Sequence, residues 1–299
     1  MTTGNDRRVA IDASVSLALT EAAQKVRLVT QMLRSAGSPS PESKFERLGR
    51  PTPQESVERR VANYLAASAE HLTFWANTFA PLKFHPEQTT EVTLRPTFTL
   101  ARAAMEASSQ AVWLMDSTDP RELQRRYLAM VLWELGKRKQ SESEPEARAL
   151  AAAAELEFLE ASNGRISRAE LNTPGNYLGF VRAASNVNGM DLDADQLEQL
   201  WRKASGVAHG HLWVTDVLTE LRPDPHANTP KAVVRVPSQE SLVEVIDVAA
   251  TMLQVGVLNY LDFLGADIAD VIEGARAWLA SIVPLKDESI RDTLLQGAK

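Results

Sequence analysis

The sequence predicts an all-α protein, a multi-helix bundle of roughly nine helices with at most one short β-type segment near residues 232–236. Three observations carry that expectation. Apolar residues recur every three or four positions along most of the chain, the repeat of a helix that buries one face. Only the stretch Ala232-Val-Val-Arg-Val-Pro237 is short, β-branched and strand-like. Prolines and aspartates stand together where helices should start or stop.

The first helix is expected from about residue 6 to 36, with Val15, Leu19, Ala22, Val26, Val29 and Leu33 along one stripe. Residues 37–53 hold four prolines and few apolar anchors, so they read as an exposed connector and mobile flap. This divides the chain into an N-terminal helix with its proline-rich connector, residues 1–53, and a helical bundle, residues 54–299, the two forming one structural unit. A second helix fits residues 54–80, carrying Val57, Val61, Leu65, Leu72 and Trp75 inward and ending at Pro81. Pro96 suits the first turn of the next helix, where its missing N–H sacrifices no internal bond. That helix presents Leu100, Ala103, Ala104, Ala107, Ala111 and Leu114, a face of small residues made for close packing.

Asp119-Pro120 is a capping residue followed by proline and opens a helix running past Lys139. A solvated break at residues 142–146 precedes an alanine-rich helix that ends near Asn163-Gly164, and Thr173-Pro174 starts another. Asp193 or Asp195 caps a helix through Leu197, Leu200, Trp201, Ala204 and Val207, whose last turns Gly206 and Gly210 weaken. The β-type segment either pairs with an edge near Arg222 or forms nothing regular. Residues 238–264 are apolar nearly all round, with a thin polar stripe of Glu244, Asp247, Thr251 and Gln254, as a central covered helix should be. Asp247, Gln254 and Asn259 interrupt it too often for a bilayer span. Two further helices, about 267–283 and 287–296, close the chain.

Composition narrows the function classes. The chain has 299 residues, 32 Lys plus Arg against 39 Asp plus Glu, and a net charge of −7, so a nucleic-acid surface has to be a local patch and a double-stranded DNA coater is not expected. With no cysteine there is no thiolate metal site, disulfide or cysteine nucleophile. The first twenty residues contain no apolar stretch of signal-peptide length, so a cytoplasmic protein with no membrane partner is expected. No phosphate-binding glycine loop, dinucleotide turn, nucleophile elbow or Glu-x-x-His metal motif occurs; no metal and no cofactor are expected.

Candidate chemistry concentrates in Trp201-Arg-Lys-Ala-Ser-Gly-Val-Ala-His-Gly210. At 100° per residue Arg202 and His209 fall about 20° apart, with Ser205 a turn from each, which joins a titratable base, a phosphate-gripping cation and a hydroxyl on one helix face. In the absence of metal ligands such a set suits cleavage of RNA through its own 2′-hydroxyl. Arg102 and Glu106, four apart on the small-residue helix, can form an intrahelical ion pair, or can face the Arg202–His209 helix so that Glu106 orients His209. Arg121 and Arg125 share a face and are candidates for holding RNA or phosphate, with Trp113 beside them to stack on bases.

On these residues the chain resembles HEPN-like all-helical bacterial proteins, many of which are ribonucleases in toxin–antitoxin and phage-defence systems. Arg202 and His209 match the Arg-x(4–6)-His signature of that family, with Lys203 where a polar Asn, Asp or His usually follows the arginine. The resemblance implies a metal-independent ribonuclease, with His209 as acid or base and Arg202 on the phosphate. The residues by themselves support a second function, a non-catalytic binding or self-associating helical protein in which Arg102, Glu106 and His209 form an internal polar network. A homo-oligomer is expected on either account, with RNA or another protein as partner.

Overall fold

The computed structural model describes residues 10–48, 56–82, 91–161, 166–187, 189–190, 192–223 and 233–283. In chain order the described residues form α1 (Ala13–Ser35), α2 (Lys44–Leu48), α3 (Val57–Phe79), α4 (Leu94–Met115), α5 (Pro120–Ser141), α6 (Pro145–Ala161), α7 (Tyr177–Ala184), α8 (Ala194–Ala208), α9 (Leu212–Val217), β1 (Thr219–Pro223), β2 (Val233–Pro237), α10 (Gln239–Leu264) and α11 (Ile268–Ile282). The fold is all-α, a bundle of eleven helices among the described residues with one antiparallel two-stranded sheet. The expected helix at 287–296 lies outside the described residues.

Local chemistry sets most boundaries. Ser56 caps α3 by accepting from the Arg59 N–H, Asp119 caps α5 ahead of Pro120, and Asp193 caps α8 in a reciprocal box with Gln196. Asn176, not Thr173-Pro174, caps α7. Gly265 ends α10 at φ 67°, a left-handed turn that glycine enters without a Cβ penalty.

The core is built on α4 and α10. α4 packs along α3, α10, α8 and α7, and its second half is buried all round because it has a helix on nearly every side. Ala101, Ala104 and Ala111 are fully buried, so neighbouring backbones approach closely. α1 lies across α3, α10 and α11. Lys25 of α1 reaches Asp247 at 3.2 Å and Thr251 at 2.7 Å, which satisfies the polar stripe of α10. By length and composition α10 is apolar enough to cross a membrane, with a mean hydropathy of 1.7 in its most apolar window, despite the three polar interruptions. Of that window, 61% is buried inside the protein, so packing accounts for the apolarity.

One expectation is corrected and one open alternative is resolved. Residues 37–48 do not stand off the fold as a flap: Phe45 is buried against Tyr260 and Phe263 with ring centroids 5.7 and 5.3 Å away, Leu48 is buried, and the Ser40 N–H donates to the Leu264 carbonyl at 2.9 Å. Two aromatic and aliphatic anchors hold a segment that proline content alone marks as loose; residues 49–53 lie outside the described residues. Of the two alternatives for the β-type segment, the structure takes the first, pairing with an edge near Arg222. β2 pairs antiparallel with β1, Arg222 opposite Val234 and Leu221 opposite Arg235.

Candidate functional site

α4 and α8 lie side by side, and their contact assembles the first group of candidate residues. Arg102 donates from Nε to Glu106 Oε1 at 2.7 Å, one helical turn away, and the same carboxylate oxygen accepts from Trp201 Nε1 at 2.9 Å. The Arg102 guanidinium lies over the Trp201 ring, 5.1 Å from its centroid. Its Nη1 is 3.4 Å from His209 Nε2. The two carboxylate and guanidinium side chains are 16% and 21% exposed, so this is a partly desolvated network and not a free surface pair. Tyr177 of α7 stands close enough that its hydroxyl pKa is raised, by burial first and then by the negative charges of Glu106 and Glu134.

His209 is at the C-cap of α8, where the helix has already turned, and its side chain is exposed. Its ring lies 6.0 Å from that of His211. Arg102, and not Glu106, is its neighbour, since Glu106 is turned to Trp201. Arg202, 59% exposed, is bound to Glu198 one turn back, Nε to Oε1 at 2.6 Å, and Glu198 also takes Arg182 of α7. Both cations hold the Glu198 carboxyl below its ordinary range, Arg202 most strongly. Ser205 is half-buried, and its carbonyl accepts the His209 N–H at 3.0 Å. The structure therefore brings Arg102, Glu106, Trp201 and His209 together, and ties Arg202 into a separate ion-pair chain.

The second group borders a hollow of about 220 Å³ lined by Asp119, Arg121, Glu122, Arg125, Ile166 and Glu170. Arg125 is held by Glu122 in two-pronged fashion, at 2.7 and 2.8 Å, and by the carbonyls of Glu170 and Asn172. Arg126 joins the same Glu122. Arg121 is 72% exposed and 3.8 Å from Glu170. Three carboxylates thus face two arginines around the hollow, and the local charge is balanced against a polyanion. Trp113 is 7% exposed, edge-on to Phe180 at 5.3 Å and covered by Arg126 at 5.2 Å; it fills core and offers no ring face to a base.

Sequence reasoning missed two features. Trp201 reads as a plain core residue, but its indole N–H completes the Arg102–Glu106 network; only a partner on another helix reveals that. The corner formed by α9 and the β1–β2 hairpin exposes Leu212 (83%), Trp213 (50%), Val217 (57%), Leu221 (63%) and Val233 (54%). Arg235 of β2 donates to Asp216 of α9 at 2.6 Å and to the Thr219 hydroxyl at 3.2 Å, so helix and hairpin are one continuous surface. Its signal in the sequence is the apolar run around Trp213 beyond Gly210. Among the described residues no three His, Asp or Glu side chains converge on a metal-sized point. Comparison with known proteins gives no matching family model, no matching curated protein and no matching solved structure.

Proposed function

We propose that the chain is a non-catalytic helical protein that works by self-association, with Arg102, Glu106 and Trp201 as a partly buried polar network, edged by the exposed His209, that docks α8 onto α4. The observation that carries this reading is the α9–hairpin corner. Five large apolar side chains are exposed on α9 and the adjoining β1–β2 pair, and apolar exposure gathered beyond a few hundred Å² marks interaction sites in soluble proteins. Sedimentation equilibrium over a wide concentration range tests it. The expected outcome is a mass that rises to that of a dimer or higher oligomer; a monomer at several hundred micromolar overturns it.

A second reading, the metal-independent ribonuclease of the HEPN-like resemblance, draws on one observation: His209 is exposed and has a cation, Arg102, within 3.4 Å. In that reading His209 moves a proton, and Arg102, together with Arg202 once released from Glu198, meets phosphate. Metal-free incubation with single-stranded RNA and tRNA decides it. Cleavage lost in both His209→Ala and Arg102→Ala supports the enzyme, and no cleavage by the native chain removes it.

A further inference from the structure

Among the described residues the β1–β2 hairpin has an unpaired edge, and its geometry names what fits there. The Ser238 N–H donates to the Leu218 carbonyl at 2.8 Å, and the register continues through Glu220–Val236 and Arg222–Val234. Antiparallel ladders alternate between pairs that exchange hydrogen bonds and pairs that do not. The bonded series is therefore Leu218, Glu220 and Arg222, which agrees with Pro223 and Pro237 having no N–H and standing in the other series. By alternation, the N–H and C=O of Leu221 point away from β2, on the outer edge of β1. Among the described residues no backbone partner meets them there, and Leu221 is 63% exposed.

The charges on β1 are symmetric about that residue. Glu220 and Arg222 flank Leu221 on either side; within one copy Arg222 Nη2 pairs with Glu220 Oε1 at 2.8 Å and also reaches Asp12 Oδ2 at 3.5 Å. Laid antiparallel against itself with Leu221 at the centre, β1 places Glu220 of each copy opposite Arg222 of the other, and Leu221 opposite Leu221 with both of its backbone groups satisfied. The β2 edge lacks this property, because the same operation centred on Arg235 sets that cation against itself. A partner strand of one sign meets an attractive and a repulsive charge on β1; a second copy meets two attractions.

We infer that two copies of this chain join through the outer edges of β1, centred on Leu221, into one continuous four-stranded antiparallel sheet. The inference rests on the self-association proposed above and specifies its contact. The two-fold axis passes between the Leu221 residues, so the contact is isologous and closes at a dimer. Both hairpins gain a third and fourth strand, which an isolated pair of strands needs for stable order. The Leu221 side chains meet on the sheet face that carries Val233 and, directly opposite Leu221, the Asp216-paired Arg235.

The experiment is a charge exchange read by sedimentation equilibrium on the full chain. E220R alone and R222E alone each set like charges opposite one another twice. Each is expected to weaken dimerisation about tenfold or more while leaving the helical circular dichroism unchanged. An equimolar mixture of the two variants restores the native dimer mass as a heterodimer, and the E220R/R222E double variant restores it as a homodimer. Hydrogen exchange provides a second readout, with the Leu221 amide slowing as native protein concentration rises and staying fast in E220R. A native dimer unaffected by both single exchanges overturns the edge pairing and leaves self-association standing. A native chain that stays monomeric overturns both.

Discussion

Glu106 accepts from Arg102 and Trp201 with one oxygen, in a site where both ionic side chains are largely shielded from water. Glu106→Ala leaves a guanidinium and an indole N–H without their acceptor, and the expected loss is about 1–3 kcal/mol of stability. Urea unfolding followed by tryptophan fluorescence measures it; a cost under a few tenths assigns the cluster to solvated surface. Glu122 yields a pH prediction. Hydrogen bonds from Arg125, and with them Arg126, hold its carboxyl at about 2, against an ordinary value of 4.5. A carboxyl depressed on folding stabilises fully above its unfolded value and loses that contribution as pH falls through its folded one. The stability gap between the native chain and Glu122→Gln is therefore expected to be widest above pH 5 and to close towards pH 2. Melting temperatures across that range check it, and a gap constant with pH contradicts it. Of these residues, Arg102 with Glu106 was legible from i, i+4 spacing, and so was the basic run at 121–126. Their partners Trp201 and Glu170 were not, because they arrive from other helices.

At the scale of the element, two glycines in helix interiors separate packing from propensity. A Cβ on Gly256 of α10 meets Leu65 Cδ2 at 2.7 Å, whereas one on Gly274 of α11 meets nothing within 4 Å. Gly256→Ala is expected to cost about 1–3 kcal/mol by overpacking the α3–α10 contact. Gly274→Ala is expected to gain about 0.5–1 kcal/mol from helix propensity alone. Thermal melts of the two variants should move in opposite directions, and a shift of Gly256→Ala upward contradicts the close approach. Long helices with a cap and a periodic stripe, such as α3, α5, α8 and α10, were readable in the sequence. The short elements were not: α2 has only Phe45 and Leu48 to hold it, α9 spans six residues, and β1 becomes a strand because β2 lies beside it.

For the whole molecule, α1 tests how far one core extends. Ala23 and Val26 are fully buried, and α1 covers faces of α3, α10 and α11. Arg27, buried beside them, donates to the carbonyls of Ala76 and Ala80 at the end of α3, at 3.0 and 2.7 Å. A chain beginning at Ala36 therefore exposes apolar faces of α3 and α10 and leaves the α3 terminus uncapped; it is expected to lose soluble, cooperatively unfolding protein. Size-exclusion chromatography and a melt of the truncated chain measure this, and a monodisperse product with an undiminished transition assigns α1 an accessory role. By itself the sequence determined the all-α class, the order of the long helices, the caps of α5 and α8 and the apolar all-round character of α10. Each of these depends on residues within a few turns of one another, where spacing is geometry. Tertiary structure alone decided that Glu106 faces Trp201 while His209 faces Arg102, that Glu122 neutralises the arginine patch, and that, among the described residues, no strand pairs with the Leu221 edge of β1. Those contacts join residues far apart in the chain, and which of several compatible partners a side chain meets is settled only when the helices pack.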